Sequence, residues 1–228
     1  MLGVGGLGSG VSMGLARLGV KKIILVDKDE VETTNMNRQI LYKIGDIGQP
    51  KAHIAKERLI EQHVVSDKTQ VETHSMDVLP NWQKVVQLVE ESSVVFNMID
   101  VGEYWDVAVQ SLCMKKKKLL IQGGTFCQQL NVDIFRPGEA CVVCSGSPQN
   151  HEVLTRLMPS KIETLTNIEF IPRDRNPVAQ SNVYVCTICA QMMVCRFSSL
   201  LIADPEVEIL QRFIMTVNAG EVVQFPVI

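Results

Sequence analysis

The first half of the chain alternates short apolar segments with longer segments of helical spacing, and this alternation limits the fold more than any other feature. Strands are predicted at residues 21–27, 69–76, 93–99 and 118–122, and helices at residues 11–19, 51–62, 81–91 and 104–114. Strands that alternate with helices of about a dozen residues predict parallel β-α-β units with right-handed crossovers. Ligands of such sheets bind beyond the carboxyl ends of the strands.

The pattern changes at Gly123, from which residues 126–144 are typical of antiparallel strands that lead into an irregular cysteine-bearing loop. Residues 145–181 contain four prolines and are predicted to form a long loop, with one short helix near residues 153–157. The fold class is therefore predicted as α/β, in a single domain over residues 1–228. A Rossmann-like, mostly parallel sheet with flanking helices would form a nucleotide-binding half over residues 1–122. Antiparallel strands, the loop and a central helix would follow over residues 123–228.

Composition restricts the class of protein. The 22 Lys and Arg residues nearly balance the 25 Asp and Glu residues, which argues against nucleic-acid binding because phosphate backbones are bound by clustered cations. The apolar stretch at residues 183–203 is long enough to span a membrane. An unpaired Arg196 within it would be costly in lipid, so we predict a buried helix and no membrane partner. No signal peptide is recognisable, which predicts a cytoplasmic protein with reduced cysteines.

The stretch "GVGGLGSG" begins at Gly3, with only Met1 and Leu2 before it. Glycines at such spacing let a backbone approach a phosphate closely at the start of a helix. A glycine-rich turn in a frayed terminus is the alternative, because a phosphate-binding loop should follow a buried strand and here only a stub precedes it. The candidate loop residues are Gly3, Gly5, Gly6 and Gly8.

A second candidate group follows the next predicted strand. Asp27 ends that strand, where a carboxylate can accept hydrogen bonds from a ribose diol. Arg38 and Lys51 lie just beyond it. A dinucleotide needs no such cations, whereas a triphosphate benefits from them because they neutralise the charge that develops as pyrophosphate leaves. ATP is therefore favoured over NAD, and an NAD-dependent oxidoreductase remains a third alternative.

The stretches "GVGGLGSG", "LVDKDEVETTNMNRQILY", "GQPKA" and "CVVC" together closely resemble the ThiF and MoeB adenylyltransferases and the adenylation domains of ubiquitin-activating enzymes. The resemblance covers nearly the whole chain and implies an ATP-dependent enzyme, usually dimeric. It further implies the following nucleotide-binding residues in addition to the four glycines: Ser9, Asp27, Asp29, Asn35, Arg38, Gln39 and Lys51. Asp100, in "VVFNMIDV", would bind magnesium.

The reaction that the resemblance implies is adenylation of the C-terminal glycine of a ubiquitin-like modifier or sulfur-carrier protein. Such a carboxylate is ionised at neutral pH, with an ordinary pKa of about 3.5, so no general base is needed. The catalytic residues would be Arg38, Lys51 and Asp100. They would position the reactants and stabilise the leaving pyrophosphate.

Four cysteines form two C-x-x-C pairs. Cys141 and Cys144 lie in a predicted loop, where two thiolates could hold a zinc ion, although a closed site needs two further ligands. Cys186 and Cys189 fall on the predicted buried helix, where small apolar cysteines are common core residues. We therefore expect zinc, if any is bound, at the first pair.

Three features depart from the family's pattern. Val178 lies where self-acylating members carry a nucleophilic cysteine, and Val101 and Trp105 replace the Asn and Arg that usually follow the magnesium-binding Asp. The strand ahead of the glycines is shortened as well. These features favour an alternative in which the sequence lacks an upstream segment, or the chain is a catalytically silent relative or the non-catalytic subunit of a heterodimer.

Overall fold

A computed structural model of the protein describes residues 1–61, 65–139, 182–202, 212–216 and 222–225. The described helices are α1 (Gly6–Arg17), α2 (Lys51–Glu61), α3 (Trp82–Glu91), α4 (Glu103–Lys115) and α5 (Val183–Ile202). The described strands are β1 (Lys22–Asp27), β2 (Gln70–Ser75), β3 (Val94–Asn97), β4 (Leu119–Phe126), β5 (Gln129–Phe135), β6 (Arg212–Thr216) and β7 (Val222–Phe225). The predicted α/β fold is confirmed.

The strands pair as the alternation predicts. β1 pairs with β2 and β3 pairs with β4 in parallel, while β4, β5, β6 and β7 follow one another as antiparallel neighbours. β4 therefore pairs in parallel with β3 on one edge and antiparallel with β5 on the other. It contains Gly123, where the sequence pattern changes. The predicted short helix near residues 153–157 lies outside the described residues.

The segment before the glycines joins the two groups of strands. Leu2 bridges Val26 on one side and Asn97 on the other, both in parallel. Its N–H donates to the carbonyl of Phe96 at 2.8 Å, its carbonyl accepts from Met98 at 2.9 Å, and Gly3 N–H donates to Val26 at 2.8 Å. This segment therefore lies in the sheet between β1 and β3 and is not a frayed terminus.

Helices cover both faces of this sheet. Successive residues of a strand point to opposite faces, and Ile23 and Leu25 pack in one apolar cluster with side chains of α1, α2 and α5. Ile24 and Val26 pack in a second cluster with side chains of α3 and α4. The candidate site lies where the glycine loop leaves the sheet between these two layers.

Helices α1 and α5 pack closely because α1 presents glycines to α5. A Cβ atom added at Gly10 would lie 2.7 Å from Ala190 Cβ, and one added at Gly14 would lie 2.7 Å from Val194 Cγ2. By length and composition α5 is the one described helix that could cross a membrane, but 44% of its most apolar window is buried inside the protein. It packs on α1, β4 and β5, as predicted for a central helix.

Candidate nucleotide site

The glycine loop and the end of β1 are joined by the Asp27 side chain. Its Oδ2 accepts the Val4 N–H at 2.7 Å and its Oδ1 accepts the Asp29 N–H at 2.9 Å. The side chain is largely buried, and desolvation raises the pKa of Asp27 above its ordinary value although both N–H donors favour the ionised form. The carboxylate keeps further lone pairs, so it can still accept a ligand hydroxyl.

Two loop glycines are required by close contacts within the site. Gly3 has a φ of +93°, which favours glycine, and a Cβ there would lie 3.0 Å from the Met98 carbonyl oxygen. A Cβ at Gly8 would lie 2.3 Å from the Gly3 carbonyl oxygen, which is backbone and cannot swing away. The loop therefore folds back on itself and on the segment after β3, as a tight turn that starts α1.

Lys51 lies beside Asp27 at the start of α2. Its Nζ contacts Asp29 Oδ2 at 3.1 Å, and its own side chain is only 6% exposed, whereas that of Asp29 is 54% exposed. The backbone fixes this position, because Lys51 N–H donates to the Asp29 carbonyl at 2.9 Å and Glu30 pairs with Pro50. A buried ammonium held by one exposed carboxylate can exchange that partner for a phosphate.

Arg38 and Gln39 reach the glycine loop from the segment after β1. The aliphatic stem of Arg38 lies 3.5 Å from where a Cβ at Gly6 would be, and Gln39 Nε2 lies 3.7 Å from the equivalent point at Gly5. The Arg38 guanidinium donates to Thr34 O at 3.1 Å, and also to Asn37. Gln39 is buried, and its Oε1 has no hydrogen-bond partner among the described residues, as expected for a group whose donor belongs to a ligand.

Ser9 and Asn35, also predicted for the pocket, are buried and hold the surrounding loops. Ser9 Oγ donates to the Gly5 carbonyl at 2.7 Å. Asn35 Oδ1 accepts the Glu32 N–H at 3.1 Å and caps a 3₁₀ turn over Thr33–Asn35. These hydrogen bonds give both residues a structural role, and direct contact with the nucleotide stays a prediction.

Asp100 is exposed and follows β3, in a segment that lies against the glycine loop. The nearest contacts that a Cβ at Gly3 would make are with Met98 O, Met98 C and Ile99 Cγ1, at 3.0, 3.1 and 3.2 Å. No group of three or more His, Cys, Asp or Glu residues in the described part of the chain could hold a metal. A single carboxylate nevertheless fits magnesium, which is commonly held by one or two carboxylates, nucleotide phosphates and water.

The cysteine predictions divide between described and undescribed residues. Cys186 and Cys189 are buried in the core, as predicted, and Cys186 Sγ lies 3.0 Å from where a Cβ at Gly6 would be. Burial raises the pKa of the Cys189 thiol to about 12. Cys141 and Cys144, like Val178, lie outside the described residues.

Two structural residues of the site were missed by sequence reasoning. The Tyr42 hydroxyl lies 2.7 Å from the Val4 carbonyl oxygen and 3.3 Å from that of Lys51, and burial raises its pKa. It thereby connects the glycine loop to the start of α2. Asp46 is buried and paired with Arg58 on α2. The signal for Tyr42 is its place at the end of "RQILY", between the two predicted cationic residues.

Comparison with known proteins matches residues 1–224 to the ThiF family model. The chain is 49% identical over 61 residues to a Bacillus subtilis tRNA threonylcarbamoyladenosine dehydratase, covering 27% of this chain and 24% of that protein. It is 30% identical over 155 residues to the Caenorhabditis elegans ubiquitin-like modifier-activating enzyme 5, covering 63% and 36%. It is 29% identical over 152 residues to the Escherichia coli molybdopterin-synthase adenylyltransferase, covering 63% and 56%.

Solved structures show the same fold. E. coli MccB with ATP superposes with a TM-score of 0.73 at 21% identity, covering 99% of this chain and 62% of that one. E. coli MccB with AMPCPP and MccA gives a TM-score of 0.74 at the same identity and coverage. The chain therefore spans less than two thirds of the length of these relatives.

Proposed function

Because the chain belongs to the ThiF family, we propose that it uses ATP to adenylate the C-terminal glycine of a ubiquitin-like modifier or sulfur-carrier protein. Relatives of this chain are named as adenylyltransferases and as activating enzymes for such proteins. They are longer than this chain, so the activity of the whole protein is part of the proposal.

The proposal depends on one observation: three segments of the chain meet at the glycine loop. The end of β1 brings Asp27, the following segment brings Arg38 and Gln39, and the start of α2 brings Lys51. The donors and cations suit a polyanion, and Asp27 suits a ribose. The orphaned Gln39 Oε1 is an additional group that a bound ligand could satisfy.

The chain's own residues would act by positioning and charge stabilisation. The carrier carboxylate is already ionised and attacks the α-phosphorus of ATP. The bond from that phosphorus to the oxygen bridging to the β-phosphate breaks, pyrophosphate leaves with the electron pair, and an acyl adenylate forms. Lys51 would leave Asp29, and Arg38 would leave Thr34 and Asn37, to hold the phosphates as charge develops.

Asp100 is the residue that we propose for magnesium, which would neutralise phosphate charge when bound. We also propose a dimer, on the resemblance alone, and a cytoplasmic location, on the sequence prediction given above. Zinc at Cys141 and Cys144 stays a proposal for residues that lie outside the described part of the chain.

ATP–pyrophosphate exchange with a panel of ubiquitin-like and sulfur-carrier proteins tests the function. We expect Arg38→Ala and Asp100→Asn to lower exchange by about 10²-fold or more, the scale of losing one group that stabilises developing charge. Arg17→Ala and Asp67→Asn are the controls, because these exposed residues lie at the end of α1 and in the turn before β2. Exchange at wild-type rates in both site variants would contradict the assignment.

A silent relative or the non-catalytic subunit of a heterodimer is the second candidate, and the observation that favours it is Trp105. This residue stands where the family usually has Arg. Its indole carries no charge and is fully buried in the second apolar cluster, so the charge of the family's Arg is missing here. That candidate predicts no ATP–pyrophosphate exchange with any carrier. Exchange with any carrier that is lost in Arg38→Ala would exclude it.

A further inference from the structure

The side chain of Asn97, the last residue of β3, joins that strand to the beginning of α4. Asn97 is 1% exposed. Its Oδ1 accepts the Trp105 Nε1–H at 2.8 Å, and its Nδ2 donates to Asp106 Oδ1 at 2.9 Å. Because Trp105 and Asp106 lie in the first turn of α4, one amide closes the loop of residues 98–102, which contains Asp100.

The same residue is tied to the glycine loop through the backbone. Leu2 bridges Asn97, and the next N–H along the chain, that of Met98, donates to Leu2 O at 2.9 Å. The loop ends at Gly102, whose φ of +107° favours glycine. Asn97 therefore lies where the Leu2 segment, the loop of residues 98–102 and α4 meet.

The partners of Asn97 are themselves fixed. Trp105 is fully buried and packs edge-on against Trp82, with ring centroids 5.9 Å apart. A buried indole N–H needs an acceptor, and Asn97 Nδ2 is one of the donors to the Asp106 carboxylate. Among neutral side chains of this size an amide supplies both at once, whereas a carboxylate at position 97 could accept from Trp105 but could not donate to Asp106.

We propose that Asn97 is a positioning residue for the metal and phosphate end of the site. By holding the first turn of α4, it keeps the loop of residues 98–102 closed, and so keeps Asp100 beside the glycine loop. The proposal rests on the proposed function as far as Asp100 is concerned, whereas the loop closure itself is a property of the protein without ligand.

Asn97→Asp tests this positioning role. The substitution keeps the size and shape of the side chain, but it removes the N–H donor to Asp106 and sets a second carboxylate beside that residue. We expect hydrogen–deuterium exchange of the backbone amides of residues 98–104 to rise about tenfold in the ligand-free protein, the scale of losing one buried hydrogen bond. We also expect the magnesium concentration that gives half-maximal ATP–pyrophosphate exchange to rise by about the same factor. The double variant Asn97→Asp/Asp106→Asn restores one donor and one acceptor, so it should bring both values to within about threefold of wild type.

Val85→Ala is the matched control. Val85 lies on α3 and is fully buried in the apolar cluster that contains Trp105. It should lower stability without a selective change in residues 98–104 or in the magnesium dependence. Unchanged amide exchange in Asn97→Asp, or no recovery in the double variant, would overturn the proposal. A wild-type protein that catalyses no pyrophosphate exchange would refute the proposed function. The amide measurements would still decide whether Asn97 keeps the loop of residues 98–102 closed.

Discussion

The contact between α1 and α5 gives a prediction that can be worked out from the structure. A methyl group at Gly14 would lie 2.7 Å from Val194 Cγ2 and 3.0 Å from Val194 Cγ1, well inside ordinary contact. Overpacking of this kind costs about 1–3 kcal/mol. Alanine gains about 1 kcal/mol over glycine in a helix. We therefore expect Gly14→Ala to lower the free energy of unfolding by about 1 kcal/mol.

Val194→Ala removes the two methyl groups that cause the clash. Since Val194 is 8% exposed, losing both costs about 2 kcal/mol with the cavity included. In the double variant the new methyl at position 14 fills part of that space, because the two nearest atoms, Val194 Cγ2 and Cγ1, are gone and Val194 Cβ lies farther away at 3.3 Å. The double variant should therefore be more stable than the sum of the single variants predicts, by about 1–2 kcal/mol.

Urea unfolding followed by circular dichroism measures the three differences, with unchanged m-values as a requirement. Gly45→Ala is the control, because a Cβ there meets no atom within 4 Å, and it should leave the free energy of unfolding unchanged or raise it by at most about 1 kcal/mol. Additivity of the two single variants to within about 0.5 kcal/mol would refute the close packing of α1 on α5. In that case α5 would also not stabilise α1, the helix that begins at the glycine loop.

Two further predictions concern buried groups. Arg58→Met should lower the free energy of unfolding by about 3 kcal/mol, because it leaves the Asp46 carboxylate buried without its cation. Burial opposes ionisation of Asp46, but the hydrogen bonds from Arg58 and from the Lys43 N–H, together with the charges of both residues, outweigh it and hold the pKa of Asp46 below its ordinary value. This stabilisation exists above the unfolded pKa of about 3.9 and is lost as the pH falls through the folded pKa, so urea titrations should show the two proteins converging below about pH 4. Iodoacetamide at pH 8 should alkylate exposed Cys127 well before Cys189 or Cys113, since burial raises the pKa of each of the latter thiols to about 12; peptide mass spectrometry showing equal rates would contradict the burial.

The regular elements could be predicted because apolar periodicity is a local signal. β1 was expected at residues 21–27 and occupies Lys22–Asp27, and α2 was expected at residues 51–62 and is described over Lys51–Glu61. Strand ends were less predictable. β3 stops at Asn97, two residues early, because its ladder with β4 ends at the Asn97–Gln122 pair, and β4 runs on to Phe126 because β5 pairs with it as far as that residue.

The grouping of the site residues could be predicted, but their present partners could not. Asp27, Arg38 and Lys51 follow one strand end, and the fold places strand ends at one edge. Whether Ser9 contacts a ligand or its own helix depends on one rotatable hydroxyl, which here donates to the Gly5 carbonyl. The partner of Lys51 likewise depends on a side chain, Asp29, that is free to face solvent or a neighbour.

Trp105 shows why a departure from a motif is hard to interpret from sequence. At its position it suggests only the loss of a family arginine. In the structure its indole N–H is paired with Asn97, and its ring fills the cluster beside Trp82. The relevant partner is eight residues earlier and on a strand, so no local pattern connects them.

The bridging position of Leu2 has a consequence for the order in which the protein can form. One side of this residue pairs with Val26, but the other needs Phe96 and Asn97. On a translating ribosome, the segment around Leu2 must therefore wait with half of its hydrogen bonds unmade until Phe96 and Asn97, far later in the chain, have emerged. During that interval the unpaired N–H and carbonyl of Leu2 are exposed to pairing with other chains.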